Sequence, residues 1–177
     1  MLPLFGVYVA EYTINLSLFP NLLFPLRSTP FSSYSSFYPT YSLLYQVGVF
    51  ISRSSLPLVR IPPTWLYPLA LLQGCNLTIL LLQALYNFMS QSIGETGTLY
   101  WIFAIIVWEG LLGGSVYVGT FDGIRKQYSG EEREWCLGAT TVSDSAGIAV
   151  AGVVASIVEK AVCGYQVDNG RDWCTRM

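Results

Sequence analysis

The sequence predicts an all-α, polytopic membrane protein with about five transmembrane helices, and three observations carry that prediction. Only 11% of the 177 residues are charged and 53% are hydrophobic, whereas soluble domains carry about 25% charged residues. Mean hydropathy is +0.48, so there is too little polar surface to face water on all sides. Residues 61–94 contain no charge at all, and a stretch of about 20 apolar residues crosses the hydrocarbon.

The first span is expected over about Leu2 to Leu18, interrupted by Glu11 and closed before Pro20 and Pro25, which do not fit a helix interior. Its opening residues lack a basic n-region and a small-residue cleavage site, so they read as the start of a mature span. The Ser-, Tyr-, Phe- and Pro-rich stretch from Ser28 to Thr40 has poor helical periodicity and reads as an interfacial or mobile connection. A second span of marginal length follows over about Tyr41 to Leu58, with Arg53 near one end and a turn at Pro57, Pro62 and Pro63.

The third span, Trp65 to Tyr86, is the clearest, flanked by Trp65, Tyr67 and Tyr86 as interfacial aromatics. The fourth, about Leu99 to Thr120, opens on Tyr100 and Trp101 and carries Glu109 at its midpoint. The fifth, about Trp135 to Ile157, follows the charged connection Asp122 to Glu134. There Ser129 and Glu132 have capping-box spacing, so that helix should start outside the membrane. This divides the chain into a helical bundle over residues 1–160 and a polar tail over 161–177.

Basic residues do not orient the bundle. Arg60, Arg125, Lys126 and Arg133 on one side stand against Arg27, Lys160, Arg171 and Arg176 on the other. Small residues foretell tight packing: Gly110 and Gly114 form a GxxxG with Gly113 beside them, and Ala139, Ser143, Gly147, Ala151 and Ala155 recur every four residues.

Ionisable residues inside the spans carry the functional expectation. A charge at the bilayer centre costs about 2.5–3.5 kcal/mol on insertion scales, so such a group normally faces a bundle interior or a watery cavity. The candidates are Glu11, Arg53, Glu109 and Asp144. Glu11 shares a helix face with Tyr8 and Asn15, Gln46 precedes Arg53 by two turns, and Glu109 stacks with Gly113 and Tyr117. The expected substrate or proton pathway is therefore Glu11, Asn15, Gln46, Arg53, Glu109, Tyr117 and Asp144. The competing role is a structural ion pair between Arg53 and one acid. Asp144 is also expected within about three turns of its helix start, where the helix dipole favours a carboxylate.

Other chemistries lack residues. With no His and no CxxC among Cys75, Cys136, Cys163 and Cys174, a zinc or iron–sulfur site has no ligand set, and no metal or cofactor is expected. Neither a nucleophile–base pair nor a phosphate loop is visible, so no enzyme is expected. No Lys/Arg-rich run marks a nucleic-acid face. Cys163 and Cys174 would form a disulfide if the tail faces a lumen, or remain free thiols. Sequons at Asn15 and Asn76 sit in apolar sequence and should stay unmodified. The ending Cys174-Thr175-Arg176-Met177 has the outline of a prenylation signal, but Arg176 breaks its aliphatic pattern and a plain polar tail is expected.

YVAEYTINLSLF, YQVGVFISRSSL, LLQGCNL, WEGLLGGSVYVGTF and EEREWCLGATTVSDSAGI, in this order, resemble the C-terminal half of the battenin family, the lysosomal membrane protein of Batten disease and its fungal vacuolar relatives. The resemblance spans about residues 5–160 and implies half of a major-facilitator-type transporter in a vacuolar or lysosomal membrane. It also implies roles in pH homeostasis and in the transport of basic amino acids or glycerophosphodiesters. A major-facilitator site lies between two halves, so the missing N-terminal half or a second chain is the expected partner, together with the bilayer, a small polar solute and protons. Three intramembrane acids against one Arg leave carboxylates free for proton coupling. The alternative role is a membrane scaffold for trafficking or proton-pump partners, acting through the connection Asp122 to Glu134.

Overall fold

The computed structural model describes residues 1–55 and 61–176. Pro57, Arg60 and the expected end of the second span at Leu58 lie outside the described residues, as does Met177. The described chain is all-helical in its regular structure: α1 (Leu2–Thr13), α2 (Phe37–Ser54), α3 (Leu66–Tyr86), α4 (Phe88–Gln127) and α5 (Gly130–Asp168). Three of them, α3 (here with the preceding turn, Pro63–Tyr86), α4 and α5, are long and apolar enough to cross a membrane.

The other two are the shorter and more enclosed members. α1 passes without a break into a π-turn, Ile14–Leu18, so its helical path matches the expected first span. It buries Leu4, Val7, Ala10, Ile14 and Leu18, which recur three and four residues apart and so line one face, the pattern of a helix packed against its neighbours. α2 begins a turn earlier than expected because Pro39 falls in its first turn, where a missing N–H is tolerated.

α3 follows the expectation closely. It ends on Asn87 in the left-handed region (φ 49°), a usual way to stop a helix. α4 is longer than expected and contains a break at Gly94 (φ 74°, ψ 168°), a backbone setting that costs glycine little. α5 runs from Gly130 to Asp168, well past the apolar window at both ends. Ser129 is its N-cap with no side-chain bond, so the capping position was legible but the box is not formed. Asp144 consequently stands about four turns into α5, beyond the reach of the helix dipole, which fades within the first turn.

The connection from Ser28 to Thr40 is packed rather than loose. Two 3-10 turns, Leu26–Ser28 and Tyr34–Ser36, order it. Phe31 meets Phe37 at 4.6 Å and Phe103 at 6.4 Å between ring centroids. The Tyr41 hydroxyl donates to the Leu22 carbonyl at 2.6 Å.

Two glycine-lined crossings hold the bundle. At α2/α4 a Cβ on Gly48 would run into the Val107 carbonyl oxygen and lie 3.1 Å from Gly110 Cα, while one on Gly110 would strike the Tyr45 carbonyl oxygen. At α1/α5 a Cβ on Gly147 would lie 3.0 Å from Tyr8 Cβ and 3.1 Å from the Phe5 carbonyl oxygen, and Ala151 and Ala155 are buried. The small-residue stripes thus act as close-approach surfaces.

The helices alternate, so the two ends of the bundle collect different segments. At one end the Gln166 amide donates to the Asn21 and Ala84 carbonyls at 2.9 and 2.8 Å, and Thr96 donates to the Ser28 carbonyl at 2.8 Å. At the other, Met1, Pro63, Gly123 and Cys136 line one cavity. A bundle exposing Leu43, Phe50, Leu71, Val142, Val153 and Ile157 is expected to stay with the membrane through alkaline carbonate extraction, and recovery in the soluble fraction would contradict this fold.

Candidate substrate and proton pathway

The centre of the bundle holds two carboxylates on facing helices. Glu109 of α4 has no solvent exposure, and neither carboxyl oxygen has a hydrogen-bond partner. Glu11 of α1 is 3% exposed; its Oε1 accepts from the Tyr45 hydroxyl of α2, and its Oε2 has no partner. Gly113 explains how they meet, since it lies one turn beyond Glu109 and a Cβ there would fall on the Glu11 carboxyl group. The glycine stripe therefore has two faces: Gly110 and Gly114 admit α2, and Gly113 admits an acid.

Around this pair the polar groups grade outward. Asn15, one turn past Glu11, is half-buried with an unpartnered Oδ1. Tyr8 and Tyr12 stack at 5.7 Å between ring centroids, and Tyr8 lies within electrostatic reach of Glu11, Asp144 and Arg53. Asp144 of α5 is half-buried. Arg53 is exposed near the end of α2, with its guanidinium carbon 4.3 Å from the centre of the Tyr117 ring.

That geometry answers the ion-pair alternative. Among the described residues the salt bridges are Lys126–Asp122 and Arg176–Asp172, both exposed i,i+4 pairs. Arg53 makes a cation–π contact instead, within electrostatic reach of Glu11 and Asp144 but bridged to neither. An exposed guanidinium steadied by an aromatic face keeps its five N–H donors available to a planar anionic group.

Six of the seven expected residues fall into this graded array: Glu11, Asn15, Arg53, Glu109, Tyr117 and Asp144. Gln46 does not join it visibly; it is exposed on α2 and makes no side-chain hydrogen bond among the described residues. Sequence reasoning missed Tyr45 and Gln73. Tyr45 shares a face with Gly48, Val49 and Ser52, a helical i, i+3, i+4, i+7 pattern that signals burial. Gln73 of α3 is fully buried with an unpartnered Nε2, and Asn76 donates to its Oε1 at 3.5 Å. The signal was a Gln and an Asn three residues apart in a span without charge. No group of three or more His, Cys, Asp or Glu that could hold a metal exists among the described residues.

Long apolar helices enclosing unpaired acids define an integral membrane protein of the polytopic helical class. Residues 1–165 match the family described as CLN3 protein, and the chain belongs to that family. It is 54% identical over its whole length to Protein btn-1 of Neurospora crassa and 54% identical to Protein btn1 of Aspergillus fumigatus, covering 36% of each relative. It is 46% identical over 99% of its length to Protein BTN1 of Yarrowia lipolytica, covering 42% of that protein. The chain thus spans about two fifths of the length of these relatives. No solved structure matches it.

Proposed function

We propose that the chain is part of a vacuolar or lysosomal membrane transporter that couples proton movement to the passage of basic amino acids or glycerophosphodiesters and thereby contributes to vacuolar pH homeostasis. The observation that carries the reading is the Glu11/Glu109 pair, two buried carboxylates with three oxygens lacking partners. Unsatisfied buried groups cost about 1–3 kcal/mol each, and a purely structural role would favour apolar side chains at these positions. Proton exchange gives such groups a use. Arg53 over Tyr117 supplies an anion-binding donor at the outer end of the same array, and the excess of carboxylates suits a cationic group. A site of the major-facilitator type lies between two halves, so this reading calls for a further half, on the same polypeptide or on a second one.

The test is solute efflux from isolated vacuoles under an imposed pH gradient, in cells with and without the protein. Arginine and a glycerophosphodiester are followed separately. At least one flux should require the protein and vanish when the gradient is collapsed. Arg53→Lys should leave insertion intact yet slow the flux of an anionic or zwitterionic solute by about tenfold, because an ammonium does not reproduce the two parallel bonds of a guanidinium. A second reading, a scaffold for trafficking or proton-pump partners, draws support from Trp135, 73% exposed beside Glu131, Glu132 and Glu134. It predicts no protein-dependent flux for either solute and loss of function on changing that connection.

A further inference from the structure

Polar residues interrupt three apolar stripes at one depth of the bundle. On α1, Glu11 stands two turns from both Leu4 and Leu18; on α3, Gln73 stands two turns from Leu66 and Leu80; on α4, Glu109 stands two turns from Ile102 and Val116. Residues two turns apart share a helix face. The fold sorts these flanking residues into two apolar clusters, Leu4, Leu66 and Val116 in one and Leu18, Leu80 and Ile102 in the other. Glu11, Gln73 and Glu109 therefore form a layer between the clusters, one from each helix and all three almost wholly buried. The approach of the Glu11 carboxyl to Gly113, one turn from Glu109, fixes the α1/α4 side of that layer.

Hydrogen-bond donors are scarce in this layer. Among the described residues the buried side-chain atoms without a partner are oxygens of Glu11, Asn15 and Glu109 and a single nitrogen, Gln73 Nε2. Asn76, one turn further along α3, donates to Gln73 Oε1 at 3.5 Å, which occupies the oxygen of that amide and leaves its N–H groups uncommitted. The Tyr45 hydroxyl is already given to Glu11 Oε1. The other charged and titratable groups within electrostatic reach of Glu11 are Tyr8 and Tyr12 on its own helix, Arg53 of α2 and Asp144 of α5, while Glu109 has Glu11 as its charged neighbour. At this level α3 brings amides and no charge.

We propose that Gln73 is a positioning residue for the acid pair: its amide N–H groups bond whichever of Glu11 and Glu109 is ionised, so that the two acids hold one proton between them and the bond follows the charge. An amide suits this task better than a cation. It supplies two donors in one plane, it bonds an ionised carboxylate more strongly than a neutral partner, and it adds no positive charge that would hold both acids ionised. Asn76 fixes the amide's oxygen and thereby its orientation. The inference rests on the proton-exchange reading of Glu11 and Glu109 given above.

The test is carboxyl labelling of the full-length protein in native membranes with dicyclohexylcarbodiimide, an apolar reagent that enters the bilayer and modifies carboxyl groups in their protonated form. The mass gain at each glutamate is read by peptide mass spectrometry across a pH series. In wild type, labelling of Glu109 should fall as pH rises. Gln73→Met keeps the length of the side chain and removes the donor. A hydrogen bond to the charged form favours ionisation, so its loss should raise the pH of half-labelling by about one unit, with abundance and thermal melting in detergent unchanged. Asn76→Leu, which frees the amide to turn, should move it in the same direction by less. Should Gln73→Met fail to accumulate, Gln73→Asn, whose amide is drawn back by one methylene, is read for the same rise. An unmoved half-labelling pH in a Gln73 variant that accumulates overturns the assignment and leaves the proton reading standing. Wild-type labelling that ignores pH, or no labelling of either acid, overturns both.

Discussion

Gly110→Val is expected to remove most of the folded protein from the membrane. The α2/α4 crossing is backbone against backbone: Gly48 and Gly110 lie face to face, and a side chain on Gly110 would meet the Tyr45 carbonyl oxygen and the Val49 amide. A clash with the far end of a flexible side chain is relieved by rotation, but here α2 itself would have to withdraw. Overpacking typically costs 1–3 kcal/mol, and a clash with main chain on both sides belongs at or above about 3 kcal/mol. Even 1–2 kcal/mol changes cellular abundance several-fold. Gly48→Val should do the same. By contrast Gly152→Ala, where nothing lies within 4 Å of the new Cβ, should leave abundance unchanged. Quantitative immunoblotting of membranes with thermal melting in detergent separates these outcomes; equal abundance for all three variants would show that the crossing is looser than described.

Several of these features were legible in the sequence for identifiable reasons. The third span needed only its uncharged apolar run, and α3 occupies Leu66–Tyr86 as read. The glycines in WEGLLGGSVYVGTF announced close packing, because small residues at helical spacing have few other uses in a membrane. Helix length in α4 and α5 was less legible, since hydropathy reports where the lipid stops and a helix can continue into water on either side. Polar residues such as Glu159 and Lys160 marked the end of the span and were no obstacle to α5, which continues to Asp168.

The candidate site was half legible. Charges in apolar sequence identify themselves by their insertion cost, which is why Glu11, Arg53, Glu109 and Asp144 stood out. Neutral partners carry no such mark. Tyr45 looks like an ordinary span residue until α2 is folded against Glu11, and Gln73 until α3 is folded against α1 and α4. Gln46 marks the opposite limit: helical spacing puts it on one face with Arg53, and both are exposed, but spacing within one helix cannot say what that face meets.

Removing the ionisable carboxyl group of Glu109 should alter physiology without disturbing the fold. Its side chain is fully buried and its oxygens make no hydrogen bond, so Glu109→Gln deletes no visible contact while abolishing proton exchange at that position. Glu11→Gln differs in one respect, because an amide in the same pose can still accept the Tyr45 hydroxyl bond through its oxygen. Both variants are expected to accumulate to normal levels. The most direct measurement is vacuolar lumen pH, read ratiometrically alongside vacuolar arginine content, in cells expressing wild type, Glu109→Gln or Glu11→Gln at matched abundance. A shifted lumen pH or arginine pool for Glu109→Gln, with protein level unchanged, is the predicted result; a normal pH and a normal pool, or a change that tracks lost protein, would contradict a proton pathway through these acids.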